Sequence, residues 1–337
     1  MTQIAHLQAV SPAPLEELAA FTKAAGDLLR LEILRVLRND SFGVLELAQI
    51  FDIRQSGMSH HLKVLANVGL VSTRREGNSI FYRRSLPASG DRWRALHEQL
   101  LAGVDQTPLP ERLQSALERV HSQRAESSRQ FFARFADGIP AQQDLLAHFD
   151  LYREPLLGLI DGLDLPERDI AIEVGPGEGA LLPDLAARFD RVVALDNSPA
   201  MLERARARCS AAGLDNVECL LADALTPQDL PLADCLACNM VLHHMPAPAD
   251  ALQRFARLLK PGGSLVLTEL CRHDQVWVRE TCGDLWLGFD QDDLHNWAID
   301  AGLVPGASLF IGLRNGFQLQ IQQFALSHQD IAQRTAP

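Results

Sequence analysis

The stretch Asp169–Ala186, DIAIEVGPGEGALLPDLA, sets three glycines (Gly175, Gly177, Gly179) between a short apolar run and an amphipathic one. The apolar run is strand-like, and the amphipathic run that follows has helical spacing. Glycine between such elements lets the backbone turn sharply and a ligand approach closely, while the start of the helix offers unpaired amides. The loop alone leaves two readings open, because GPGEGA also satisfies the loose GxGxxA pattern of dinucleotide sites.

The surrounding sequence separates them. ALLPDLAARF, RVVAL, PAMLERARARC and VECLL continue the alternation of helical and strand-like runs, which predicts a parallel sheet with crossover helices. Glu173 sits on the strand before the glycines. Asp196 ends the next strand, 23 residues on, and Asp223 follows a third strand after 27 more. At the carboxyl ends of adjacent parallel strands these acids line one crevice. Two carboxylates there can take a ribose diol and an adenine amine, and they would repel a pyrophosphate. Lys260-Pro261-Gly262-Gly263 is structural, a helix stop and a turn into the next strand.

From EVGPGEG through LDNSPAMLERARAR and LLADA to NMVLHHM and LLKPGGSLVLTEL, the chain resembles class I S-adenosylmethionine-dependent methyltransferases over about Ile170 to Phe324. The resemblance implies a Rossmann-like fold that binds S-adenosylmethionine or S-adenosylhomocysteine. It makes Gly175, Gly177 and Gly179 the cofactor loop and Glu173 the support of the methionine amino group. Asp196 would hold the ribose diol, Asn197 and Met201 lie near the adenine, Asp223 and Ala224 bound its edge, and Asn239 begins the loop beside the amino acid moiety. His243 and His244 fall where substrates enter such folds, and either is a candidate base. The fold itself demands no catalytic residue, since placing a nucleophile near the sulfonium can suffice.

The amino-terminal third has a different character. Between Arg54 and Arg84 six basic residues (Arg54, Lys63, Arg74, Arg75, Arg83, Arg84) meet one acid, Glu76, in a chain of formal charge −12. Residues 1–100 carry 12 basic and 10 acidic side chains, so the excess of acid lies wholly in the remainder. DLLRLEILRVLR and GVLELAQI have helical spacing, and a third helix is expected over about Ser56 to Val68. At 100° per residue Met58, His61, Leu62, Leu65 and Val68 share one side, while Ser56, Ser59, His60, Lys63 and Asn67 share the other. GLVSTRR, the turn Glu76-Gly77-Asn78 and SIFYRR then read as a hairpin carrying Arg74, Arg75, Arg83 and Arg84. A short polar and basic stripe of this kind suits a major groove, with the hairpin as a wing.

QSGMSHHLKVLANVGLV followed by RREGNSIFYR resembles the winged helix-turn-helix of ArsR/SmtB-type repressors, over roughly Leu15 to Leu101. The resemblance implies a homodimer, paired through its first and last helices, on double-stranded operator DNA of two-fold symmetry. Gln55, Ser56, Ser59, His60 and Lys63 are then the groove-facing candidates, and Arg74, Arg75, Arg83 and Arg84 those of the wing. His61, at the edge of the core, is a packing residue. Where relatives carry a metal-sensing Cys-x-Cys, this chain has Gly43 and Leu45, neither of which can ligate a soft metal. Asp91 and His97 make only a weak alternative pair, so no metal is expected.

Composition agrees with an ordered protein of two domains: 337 residues, 47% hydrophobic and 22% charged. No run approaches a membrane span and no leader is evident, so the expected location is cytoplasmic. Six cysteines between Cys209 and Cys282 are expected to be reduced core residues. Cys235 and Cys238, three apart on a strand, point to opposite faces and cannot share a metal.

The expected fold class is thus α plus α/β: a winged helix-turn-helix domain over 1–104, a helical linker and cofactor-site lid over 105–165, and a methyltransferase-like domain over 166–328. The whole architecture resembles ArsR-type regulators fused to methyltransferase-like domains, among them S-adenosylhomocysteine-responsive repressors of methionine-cycle genes. It implies a DNA-binding transcriptional regulator, a repressor, whose operator affinity responds to an adenosyl ligand. The alternatives are an active methyltransferase of a small molecule with a regulatory winged helix, and a metal-responsive repressor fused to an unrelated enzyme.

Overall fold

The computed structural model describes residues 14–76, 79–87, 90–135, 146–226 and 229–327. Gly77 and Asn78 of the expected wing turn, and the expected break at Gly138-Ile139-Pro140, lie outside the described residues. The chain divides into two units, Met1–Val120 and His121–Pro337. No helix among the described residues is long and apolar enough to cross a membrane.

In the first unit α1 (Pro14–Ala25) leads to α2 (Leu28–Val36), whose first turn is closed by the Asp27 carboxylate accepting the Arg30 N–H at 3.0 Å. Such a cap contributes about 1 kcal/mol. A short β1 (Phe42–Gly43) enters α3 (Val44–Phe51), where the Gly43 N–H donates to Glu46 at 2.8 Å and Asp52 ends the helix in the left-handed region at φ 51°. That sharp exit delivers the chain to α4 (Gln55–Asn67). Met58, Leu62 and Leu65 are buried on α4 while Ser56, His60, Lys63 and Asn67 are exposed, the division that the 100° spacing predicts. Truncating Leu62 or Leu65 to alanine costs about 2–5 kcal/mol.

The wing is an antiparallel hairpin of β2 (Val71–Glu76) and β3 (Ser79–Arg84), with Val71 opposite Arg84 and β1 on the far side of β3. After α5 (Arg94–Gln106) and the proline-bounded break at residues 107–110, α6 (Glu111–Phe135) begins. Its Leu113, Ala116 and Val120 complete the core of the first unit. The segment 105–165 therefore does not stand apart: residues up to Val120 belong to the first core, and Leu146, Tyr152, Leu156 and Ile160 belong to the second.

The second unit is built on seven strands. α7 (Arg153–Asp161) precedes β4 (Ile170–Val174), α8 (Leu182–Ala186), β5 (Arg191–Asp196), α9 (Pro199–Ala211), β6 (Val217–Leu221), β7 (Ala233–Asn239), α10 (Pro248–Arg257) and β8 (Leu259–Leu270). Then come α11 (Trp277–Thr281), α12 (Gln291–Asp300), β9 (Leu303–Gly312) and β10 (Gln318–Leu326). The strand order is β6-β5-β4-β7-β8-β10-β9. The first five strands in that order are parallel; β10 runs antiparallel to both β8 and β9, so the purely parallel sheet expected from the alternation gains one reversed strand. A tight β9–β10 connection can only join antiparallel neighbours, which is the physical reason for the reversal.

Apolar layers cover both faces. Cys235 packs into one and Cys238 into the other, as expected of residues three apart on a strand. Four of the six cysteines are buried; Cys219 and Cys271 are half-buried. Lys260 fixes the lower edge of the sheet, its Nζ lying 3.1 Å from Asp169 and 3.0 Å from the buried Asp234. Between β4 and β7 the order of connection reverses direction, and a crevice opens there at the carboxyl ends of the strands.

Candidate functional site

Two cavities of about 120 and about 490 Å³ occupy this crevice and share Gly175, Gly177, Met240 and Val241 in their walls. Gly175 has φ +66°, donates its N–H to Leu195 O at 2.8 Å and runs so close to Val241 that a Cβ would lie 2.6 Å from Val241 Cγ2. No other residue fits that position. Gly179 behaves differently: it lines neither cavity, and a Cβ there would meet Leu182 Cδ1 at 2.9 Å and Ala205 Cα at 3.3 Å. Its smallness seats α9 against α8 at the end of the glycine loop.

The smaller cavity gathers Asp196, Asn197, Met201, Asp223 and Ala224, the residues expected around a nucleoside. The larger gathers Glu173 and Asn239, those expected around an amino acid moiety. Asp196 accepts the Ser198 N–H at 2.8 Å and Asp223 the Leu225 N–H at 2.9 Å, so both carboxylates are held at strand ends by local turns. Asn239 ends β7, and the next residue, Met240, takes a left-handed φ of +56°. For a residue with a Cβ this is a strained conformation, of a kind that clusters at ligand sites.

The crevice is lined by buried acidic groups. Glu173 is buried, its Oε2 has no hydrogen-bond partner among the described residues, and burial, with Asp196 and Asp184 close by, pushes its pKa up to about 8. Burial likewise raises Asp196 to about 6, against the opposing pull of the backbone amides of Ser198, Gly177 and Asn197. The Oδ1 of Asn239 is also buried without a partner among the described residues. An ammonium beside Glu173 would favour its ionised form and offset the cost of burying that charge.

Sequence reading missed several members. Ala125, Ser128, Arg129 and Phe132 of α6 line the smaller cavity, and none of them carried a motif in the sequence. Arg124, on the same helix, donates to Pro246 O at 3.0 Å and stacks over Trp286. The i, i+3, i+7 spacing of Ala125, Ser128 and Phe132 marks one helical face, yet its composition is too mixed to declare a ligand.

His243 and His244 are both buried. His243 Nδ1 lies 2.6 Å from Glu269 Oε2, and its Nε2 lies 3.9 Å from Asp284 Oδ1. Burial alone would lower the pKa of His243, but the charges of Glu269 and Asp284 raise it to about 9. Without another ligand it is therefore a cation at neutral pH and lacks the lone pair of a base. His244, in contact with Phe132, is held neutral by burial and by the His243 charge. Glu269 and Asp284 carried no sequence signal, since neither belongs to a local motif.

In the first unit Gln55, Ser56, His60 and Lys63 are exposed along α4 and Ser59 is half-buried. His61 is half-buried, 3.9 Å from Asp27. On the wing Arg74 and Arg83 are half-buried and Arg75 is exposed. Arg84 differs: it makes two bonds to Asp105 at 2.6 and 3.0 Å, is nearly buried and joins the foot of β3 to α5. Its expected place on a nucleic-acid face is corrected to an internal tie. Leu45 is exposed and Gly43 supplies only a backbone N–H, so α3 offers no metal donor there. Asp91 caps the Trp93 N–H, and His97 is buried with its ring edge-to-face against Phe21.

Residues 27–73 match the model of bacterial regulatory proteins of the arsR family, and residues 172–267 match a methyltransferase domain. A 37.1 kDa protein of transposon TN4556 from Streptomyces fradiae is 36% identical over 158 residues, 45% of either chain. Trans-aconitate 2-methyltransferase from Methylobacterium radiotolerans is 40% identical over 117 residues, 34% of this chain and 42% of that one. The chain thus spans less than half the length of these two curated relatives. Among solved structures, a chain from the complex of the Haloferax volcanii Trm112 methyltransferase activator matches 60% of this chain and 98% of its own, with a TM-score of 0.50 at 19% identity, a likeness of fold.

Proposed function

For a chain in which an arsR-family segment precedes a methyltransferase domain, we propose a DNA-binding regulator, a repressor, whose grip on its operator is set by S-adenosylhomocysteine or S-adenosylmethionine. The observation that carries this reading is the course of α6. One helix contributes Leu113, Ala116 and Val120 to the core of the first unit and Ala125, Ser128, Arg129 and Phe132 to the cavity of the second. A ligand that prefers one setting of that helix shifts the regulator toward the matching state, by as much as its own preference.

In this reading Glu173 takes the ligand's ammonium, Asp196 its ribose diol, and Asn197, Met201, Asp223 and Ala224 surround the adenine. Gln55, Ser56, Ser59, His60 and Lys63 face the major groove, and Arg74, Arg75 and Arg83 approach the backbone beside it. The protein works as a cytoplasmic homodimer, and Leu15 on α1 and Leu96 on α5 supply exposed apolar side chains for pairing. Genes of the methionine cycle are the natural targets, because the ligand reports on that cycle.

Fluorescence anisotropy on DNA selected by the protein, titrated with each nucleoside, tests the reading. A hundredfold change in affinity needs only about 2.7 kcal/mol of differential binding. The second reading, an active methyltransferase of a small molecule, is favoured by the larger cavity of about 490 Å³ adjoining the nucleoside pocket, room enough for an acceptor. Methyl transfer to added acceptors with no effect of either nucleoside on DNA would establish that reading and defeat the first.

A further inference from the structure

We propose that His243, His244 and Asp284 form a binding site for a divalent first-row transition metal ion, of the two-histidine, one-carboxylate kind. The site is independent of whether the chain regulates transcription or methylates a substrate, and it departs from the absence of metal expected at the arsR-type position.

One ring nitrogen from each histidine and a carboxylate oxygen of Asp284 lie within 4.8 Å of one another, and all three residues are buried. Both oxygens of Asp284 are buried with no hydrogen-bond partner among the described residues. The protonated His243 offsets the desolvation of this carboxylate without a hydrogen bond, and a directly bound cation would compensate it further. The gap from His243 Nε2 to Asp284 Oδ1 is 3.9 Å, too long for a hydrogen bond. Around a metal with bonds of about 2.0–2.2 Å to nitrogen and oxygen, neighbouring donors stand roughly 3–3.5 Å apart, so a small rotation closes the set.

The outer contacts orient the rings as a metal requires. His243 Nδ1 is held by Glu269 Oε2 at 2.6 Å and His244 Nδ1 by the Gly283 carbonyl at 3.3 Å. A carbonyl can only accept, so His244 carries its proton on Nδ1 and leaves Nε2 as the lone-pair nitrogen. A carboxylate on Nδ1 raises the basicity of a ligating imidazole in the same way. Two imidazoles with one carboxylate select zinc, iron or cobalt over magnesium or calcium, which prefer all-oxygen shells. Three protein donors leave coordination positions open, and His243 also lines the larger cavity, so an acceptor oxygen or a water there can complete the shell. On binding, the cation takes the Nε2 lone pair of His243 and one proton leaves to solvent.

The full-length protein, stripped with a chelator and titrated with Co²⁺, gives the test. Visible ligand-field absorption is expected to saturate at one equivalent per chain, with no thiolate charge-transfer band, and Zn²⁺ should displace it. Asp284→Asn, which keeps the side-chain volume, is expected to weaken Co²⁺ binding by at least about 10-fold, and Glu269→Gln by about 10- to 100-fold through loss of the outer contact. Circular dichroism in chelator establishes that each variant is folded; if Asp284→Asn is not, Glu269→Gln and the wild-type spectrum decide. No stoichiometric uptake by the wild type, a thiolate band assigning the ion to cysteines, or unchanged affinity in the folded variants would overturn the site.

Discussion

Glu173 concentrates the chemistry of the cleft in one side chain. Its pKa, pushed up to about 8, lies above the ordinary carboxylate value of 4.5, so the folded empty protein holds a proton that the unfolded chain releases. From about pH 4.5 to 8 the folded state therefore binds more protons, and this group makes stability fall as pH rises. A ligand ammonium needs the ionised form, so affinity for S-adenosylhomocysteine is expected to rise toward pH 8 by up to about tenfold per unit. Glu173→Gln should flatten that dependence in calorimetry, weaken binding, and raise the thermal stability of the empty protein at pH 8 relative to the wild type. His243, with its own raised pKa, adds a separate slope between pH 6.5 and 9, which the substitution leaves in place. The acids at 173 and 196 were legible in the sequence because each ends a strand beside a glycine loop or a helix cap. Asp284 and Glu269 were not, since they meet His243 only after distant segments fold together.

At the scale of elements, α4 was legible almost residue by residue because a helix on a core obeys a fixed angular spacing. The wing was legible in position but not in the duties of its arginines. Arg84 and Arg83 are adjacent on β3 and point to opposite faces, so the pattern of basic residues cannot say which one turns inward to Asp105. Substitution should separate them. Lys63→Ala is expected to weaken DNA binding across sequences and reduce the slope of log affinity against log salt by about one, with the melting temperature unchanged. Arg84→Ala is expected to leave that slope intact and to cost about 1–3 kcal/mol of stability, between the values of exposed and buried pairs. The antiparallel β10 escaped sequence reading for another reason. Its buried Gln320 and Gln322 satisfy themselves on Phe289 O and Ser308, so its pattern looks more polar than that of a central strand.

For the whole molecule, what matters is that each unit has its own core while α6 contributes residues to both. In the proposed reading α6 is the element through which a ligand would act on the first unit. Ser122, exposed between Val120 and Arg124, is the place to interrupt it. Proline there removes a backbone donor and clashes with the preceding turn, at a cost of about 3 kcal/mol if the helix must remain straight. That cost is comparable to the ~2.7 kcal/mol needed for a hundredfold response. The helix is then expected to bend or break at this point rather than hold its course. Ser122→Pro should leave nucleoside binding within about threefold by calorimetry and DNA binding within about threefold by anisotropy. The response of one to the other should disappear. Preserved coupling in this variant would mean that the ligand speaks to the DNA-binding unit by a route other than α6, because a hinge cannot carry a preference of that size across a broken turn.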